Sequence, residues 1–212
     1  IKVDEYVYEV PKEFRHDMRV PAHFYADDDI PEKALEDRSL EQLVNTAASE
    51  SEQANQFFDD IKTEVEKLAE YRVTLQAQKT ILSQGTYWDA ATDLIQLEGG
   101  QYGNSSNDTA SVFVPANTEL SEALLAELNT TAYLDFSTPQ LLKANPSILA
   151  IYYINPDGIV RYYPNIKLAS LLPPDFDATT RPYYEITAPL FNPERNTRWT
   201  IPYIDAAGGG LV

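Results

Sequence analysis

The chain has 212 residues, 43% hydrophobic and 11% aromatic, which is ample to bury one sizeable core and excludes global disorder. A net charge of −17 and a pI near 4.3 set the surface against nucleic acid and anionic membranes as partners. With no cysteine, neither a disulfide framework nor a thiolate metal site can be built.

Residues 1–31 contain a short β-like run, VDEYVYEV, and prolines at 11, 21 and 31, and read as an extended lead-in. Asp27-Asp28-Asp29 lacks the spacing and glycine of a calcium loop and reads as a solvated acidic turn ahead of a helix. No apolar run approaches the roughly twenty residues of a membrane span, and the first residues carry no basic-then-apolar signal pattern.

From Glu32 to about Gln84 glycine and proline are absent, which predicts one long helix over 32–84. Ala54, Phe58, Ile61, Val65, Leu68 and Leu75 form a heptad-like seam along it, with Arg72 and Lys79 on later seam positions. Barely three clean heptads favour packing along the domain's own sheet for most of the helix over a dimerising stalk. A homodimer through another face of the helix stays compatible with that.

Gly85, Gly99-Gly100 and Gly103 bracket TYWDAATDLIQL, which predicts a short helix turning Trp88, Ala91, Leu94, Ile95 and Leu97 to a core. Asn104, Asn107 and Asn129 each open an Asn-x-Ser/Thr triplet, too cheap a match to carry weight. SVFVP at 111–115 predicts a strand, and 118–129 and 138–146 predict helices, the second stopped by Pro146. ILAIYYI at 148–154, the turn NPDG and IVRYYPN at 159–165 predict an antiparallel hairpin. TRWTIPYI at 197–204 predicts a further strand. The fold class is therefore α+β: a long N-terminal helix, then a single module over 85–212 with an antiparallel sheet and helices on one side.

The densest chemistry lies in DFDATTRPYYEITAPLFNPERNTRWTIPYID at 175–205. A guanidinium offers a fork of donors to a carboxylate, phenols donate to the same oxygens, and a carboxylate two residues past a tyrosine can receive an ammonium. Pro182 and Pro202 argue for irregular segments, where binding residues concentrate. The grouping predicts a pocket for a small zwitterion, built from Arg181, Tyr183, Tyr184, Tyr203 and Asp205 and walled by Phe176 and Trp199. The alternative is that the rings are ordinary core and the arginine a structural ion-pair partner.

Catalysis has little to draw on. The two histidines, His16 and His23, lie in the lead-in, far in sequence from the aromatic cluster. Asp175 and Asp177, flanking Phe176, would alternate faces in a strand. AAGGGLV lacks the lysine and hydroxyl of a phosphate loop, and no cofactor is expected.

YYINPDGIVRYYPN at 152–165, PPDFDATTRPYY at 173–184 and WTIPYIDAAGGGLV at 199–212 together resemble the double Cache sensor family. The resemblance is specific over 108–212 and generic for the helix before it. It implies a PAS-like module forming the extracytoplasmic, ligand-binding part of a bacterial membrane-anchored receptor such as a histidine kinase or chemoreceptor. The β-rich sequence just beginning at GGGLV predicts that the sheet continues beyond Val212, and the lack of a catalytic constellation predicts that this segment is no enzyme. The family's amino-acid-binding branch carries a tyrosine five residues before an arginine, then Arg-x-Trp-Tyr, then Tyr-x-Asp. Arg181, Tyr184, Tyr203 and Asp205 match that pattern, whereas Phe176 and Tyr183 stand where the tyrosine and tryptophan would be. An amino acid, amine or carboxylate is the implied ligand. The rival is a structural or protein-interaction domain that takes no small molecule.

Overall fold

The computed structural model describes residues 32–212, with side chains from Glu36 onward. The expected lead-in over 1–31, with its acidic triplet and both histidines, lies outside the described residues. The chain divides into two units, Ile1–Asn55 and Gln56–Val212. In the first, the described residues are helical and every side chain from Glu36 to Asn55 is exposed.

Helix α1 runs Glu32–Ala77, uninterrupted because no glycine or proline breaks its ladder. Within the second unit its exposed face is held by short-range pairs, Gln56 with Asp60 at 2.7 Å and Lys67 with Glu64 at 2.8 Å. Phe58 and Val65 of the seam stay exposed, Ile61 and Leu68 are half-buried, and Leu75 alone is buried. The expected packing over most of the helix is thus corrected to its last turns. There Tyr71 Oη donates to the Tyr133 carbonyl, and Arg72 pairs with Glu127 and lies over the Tyr153 ring, 5.1 Å from its centroid. The ladder slips at Gln78, a one-turn α2 follows at Lys79–Leu82, and Gly85 at φ +69° ends the run. A Cβ at Gly85 would also come within 2.8 Å of Asp89, so no other residue fits there.

TYWDAATDLIQL does not form the expected helix. Asp89 caps a single turn, α3 (Ala90–Asp93), by accepting from the Ala91 amide, and Leu94 then turns extended at ψ 134°. Ile95–Gln96 (β1) instead pairs antiparallel with Tyr102–Gly103 (β2). A local cap and a cross-strand ladder outweigh the weak apolar period.

The main sheet has three antiparallel strands, ordered β3 (Ser111–Phe113), β5 (Val160–Tyr163), β4 (Ile151–Ile154). The β4–β5 hairpin closes as the sequence predicts. Asn155 Oδ1 accepts from the Asp157 and Ile159 amides at 3.0 and 2.9 Å, while Gly158 supplies the positive φ. Between strands β3 and β4 lie α4 (Glu122–Ala132), a 3-10 turn at Tyr133–Phe136 and α5 (Thr138–Ala144). Helix α4 is capped by Ser121, and its Asn129 accepts from the Ala90 amide at 2.7 Å while donating to the Ser83 carbonyl at 3.0 Å. That buried asparagine ties three elements together.

Period-two alternation gives the sheet two cores. Val112, Val114 and Ile159 pack with Leu124, Leu128, Ala132 and Trp88 on one face. Phe113, Val160 and Tyr162 pack on the other with Leu168, Leu172 and Phe176, the first from α6 (Leu168–Leu171). Both faces are therefore covered, not the single face expected. The final strand prediction also needs correction. Residues 197–202 are irregular, and pairing is confined to Ile204–Asp205 (β6) with Gly210–Leu211 (β7), extended by two backbone hydrogen bonds between Tyr203 and Val212. Pro202 can donate nothing to a ladder, which explains why pairing starts after it. Among the described residues no helix is long and apolar enough to cross a membrane.

Candidate functional site

The residues singled out in 175–205 fall in three places. Phe176, Tyr183 and Asp205 line one cleft on the second face of the sheet, joined there by Tyr152 and Tyr162 from the hairpin. Tyr203 belongs to the same cluster through its hydroxyl, 3.0 Å from that of Tyr152. Arg181, Tyr184 and Trp199 do not line it. Arg181 precedes the one-turn α7 (Pro182–Glu185), and its exposed guanidinium sits 4.5 Å above the Phe176 ring. It is one ring removed from the cleft. Tyr184 is rotated about 100° around the helix from Tyr183 and so faces elsewhere. Trp199 is 52% exposed and packs edge-on against Phe58 of α1 at 4.8 Å.

Four phenols converge. Tyr152 and Tyr162 are a cross-strand pair with rings parallel to within 4° at 5.7 Å, Tyr183 meets Tyr152 edge-on at 5.5 Å, and Tyr203 meets Tyr183 at 5.3 Å. Asp205 stands at their edge with its carboxylate turned into its own hairpin, where it accepts from the Ala207 and Gly209 amides at 3.2 and 2.8 Å. A Cβ on Gly209 would come within 2.6 Å of the Leu149 side-chain tip and 2.8 Å of that carboxylate, so a larger residue there would displace both. The central hollow is only about 20 Å³, room for one water molecule. Tyr152 and Tyr162 were missed from the sequence. The signal that finds them is the hairpin register, which sets them opposite each other on the face that carries Val160 and Phe113.

Burial raises all of the Tyr152, Tyr162 and Tyr183 hydroxyls above the ordinary tyrosine value. Tyr183 is pushed up to about 12, by burial first and then by the Tyr203 and Asp205 charges, with Arg181 pulling the other way. On the opposite face Tyr153 is likewise pushed to about 12 by burial, against the Arg72 hydrogen bond. These groups are neutral donors near pH 7. A folded-state pKa above the unfolded one means that the native state holds the proton longer, so stability is full below about pH 10 and falls as pH climbs toward 12. Thermal melts from pH 7 to 12, read beside a phenolate absorbance titration, should show a flat melting temperature to about pH 9 and then a steep fall. Uniform titration of every tyrosine near pH 10 would contradict this burial.

A wider open cleft lies elsewhere, holds about 470 Å³ and is lined in part by Glu119, Asp157, Asp175 and Asp177. The expectation that Asp175 and Asp177 alternate faces in a strand is corrected here. Both sit in irregular chain, Asp177 capping a 3-10 turn by accepting from the Thr179 amide at 2.8 Å, and both line this one cleft. Among the described residues no group of three or more histidines or carboxylates is arranged to hold a metal ion.

Comparison with protein-family models, with curated proteins and with solved structures returned no match. The function is accordingly read from the geometry of the aromatic cleft.

Proposed function

We propose that this chain is the extracytoplasmic sensor module of a bacterial signal-transduction receptor of the double Cache kind, and that it binds a small amine-bearing ligand such as an amino acid. The observation that carries the reading is the convergence of Tyr152, Tyr162, Tyr183 and Tyr203 on one another, with the Asp205 carboxylate at the edge of their cleft. Aromatic faces and a carboxylate attract an ammonium group, and a hollow of about 20 Å³ admits a head of that size. A ligand carboxylate then points outward to Arg181, which leaves the Phe176 ring to clamp it. Anchoring through a membrane segment of the parent receptor and a homodimer through the exposed stripe of α1 belong to the same proposal.

A second reading is favoured by the same small hollow. Rings that already fill one another's space are what a purely structural core presents. A thermal-shift screen of amines, amino acids and simple carboxylates separates the two, because a ligand at 100 times its dissociation constant stabilises by about 2.7 kcal/mol. The best hit is then titrated calorimetrically against the wild type and Asp205→Asn. Asparagine keeps one acceptor for the hairpin amides but removes the charge, so amine binding should weaken at least roughly thirtyfold, in line with the 2–5 kcal/mol of truncating a buried charge partner. No hit in the screen, or a hit whose affinity ignores Asp205→Asn, would leave the structural reading standing.

A further inference from the structure

A second hollow lies on the other face of the sheet, bounded by Leu68 of α1, Thr138 at the start of α5, and Ile151, Tyr153 and Arg161 of the hairpin. It too has room for about 20 Å³. Arg161 is 3% exposed and holds Asp135 by two parallel bonds, Nε to Oδ1 at 2.9 Å and Nη2 to Oδ2 at 2.6 Å. The Trp88 ring covers the guanidinium at 5.2 Å from Cζ. Two buried polar atoms on these walls have no partner among the described residues, Arg161 Nη1 and the Thr138 hydroxyl, the latter on a residue 5% exposed.

We infer that this hollow is a built site for one neutral hydrogen-bonding molecule of water size, bridging Arg161 Nη1 to Thr138 Oγ1 and completing the Arg161–Asp135 pair. A guanidinium carries five N–H donors and no acceptor, so Nη1 can only donate. Leaving a charged donor buried and unbonded costs more than leaving a neutral one, and the ring above Cζ accepts nothing in the guanidinium plane. Size selects a single water molecule. Charge excludes the alternatives: Arg161 and Asp135 already cancel, so a halide would bring an unbalanced negative charge into a buried site of a chain with net charge −17. A cation would face the guanidinium. Water accepts from Nη1 and exchanges a further hydrogen bond with the threonine hydroxyl, which donates or accepts as needed. The site is independent of whatever the aromatic cleft takes.

A high-resolution crystal structure of the chain grown in sodium bromide provides the test. The expected result is one ordered oxygen within about 2.7–3.2 Å of both Arg161 Nη1 and Thr138 Oγ1, without anomalous signal. Water-oxygen magnetic relaxation dispersion should count one long-lived internal water fewer in Thr138→Val and the same number in Thr138→Ser. An empty hollow, a protein atom bonded to both groups, an anomalous bromide peak, or equal water counts in wild type and Thr138→Val would each overturn the assignment. The wild-type map decides the matter by itself if the valine variant does not fold.

Discussion

Asp135→Ala is expected to lower the folding free energy by about 3–5 kcal/mol, the cost of stripping one partner from a buried ion pair. Arg161 would keep its charge with 3% of its side chain exposed, and neither the Trp88 ring nor the Tyr87 hydroxyl offers it a counter-charge. Breaking the pair differs from replacing it. Asp135→Leu combined with Arg161→Met removes both charges, and its loss should be far smaller, since apolar substitutes for a buried pair are often neutral or stabilising. Urea denaturation of the two variants measures the contrast. A loss below about 1 kcal/mol for Asp135→Ala would mean that water reaches the guanidinium, as for a surface pair.

Phe113→Ala should cost about as much, roughly 3–5 kcal/mol, by the different route of an unfilled cavity. Phe113 is 0% exposed on strand β3 in the second core, edge-on to Phe176 at 6.1 Å. Its removal also withdraws the support behind Phe176, a wall of the aromatic cleft. Denaturant midpoints should fall while the m-value holds, the pattern of a stability change without a change in exposed surface. A loss under about 1 kcal/mol would place Phe113 outside the tightly packed core.

The elements that were legible in the sequence are those whose signal is local. The NPDG turn carries its own geometry, with an asparagine to cap the amides and a glycine for the positive φ, and so the β4–β5 hairpin could be read directly. Helix α1 was legible from the absence of breakers, though not the slip at Gln78, which no residue type announces. TYWDAATDLIQL was misread because its fate is decided by a partner strand beyond Gly99-Gly100, information that no helical period contains. The site divides along the same line. Tyr183, Tyr203 and Asp205 meet as neighbours in sequence suggested, whereas Tyr152 and Tyr162 come from an earlier hairpin, Tyr152 being 51 residues from Tyr203, and enter only through register. Trp199 shows the converse. Closeness in sequence to Tyr203 put it in the expected pocket, but the irregular chain around Pro202 carries it to Phe58 instead.

Strand β4 is four residues long, and two adjacent tyrosines on it serve opposite faces. The Tyr152 hydroxyl reaches Tyr203 in the aromatic cleft, while the Tyr153 hydroxyl donates to Glu127 at 2.9 Å, which in turn grips Arg72 of α1. One peptide bond thus separates the cleft from the end of the long helix. The cleft and the end of the long helix therefore bear on opposite sides of the same four-residue backbone, so a substitution in β4 that shifts one hydroxyl acts on a strand that also carries the other.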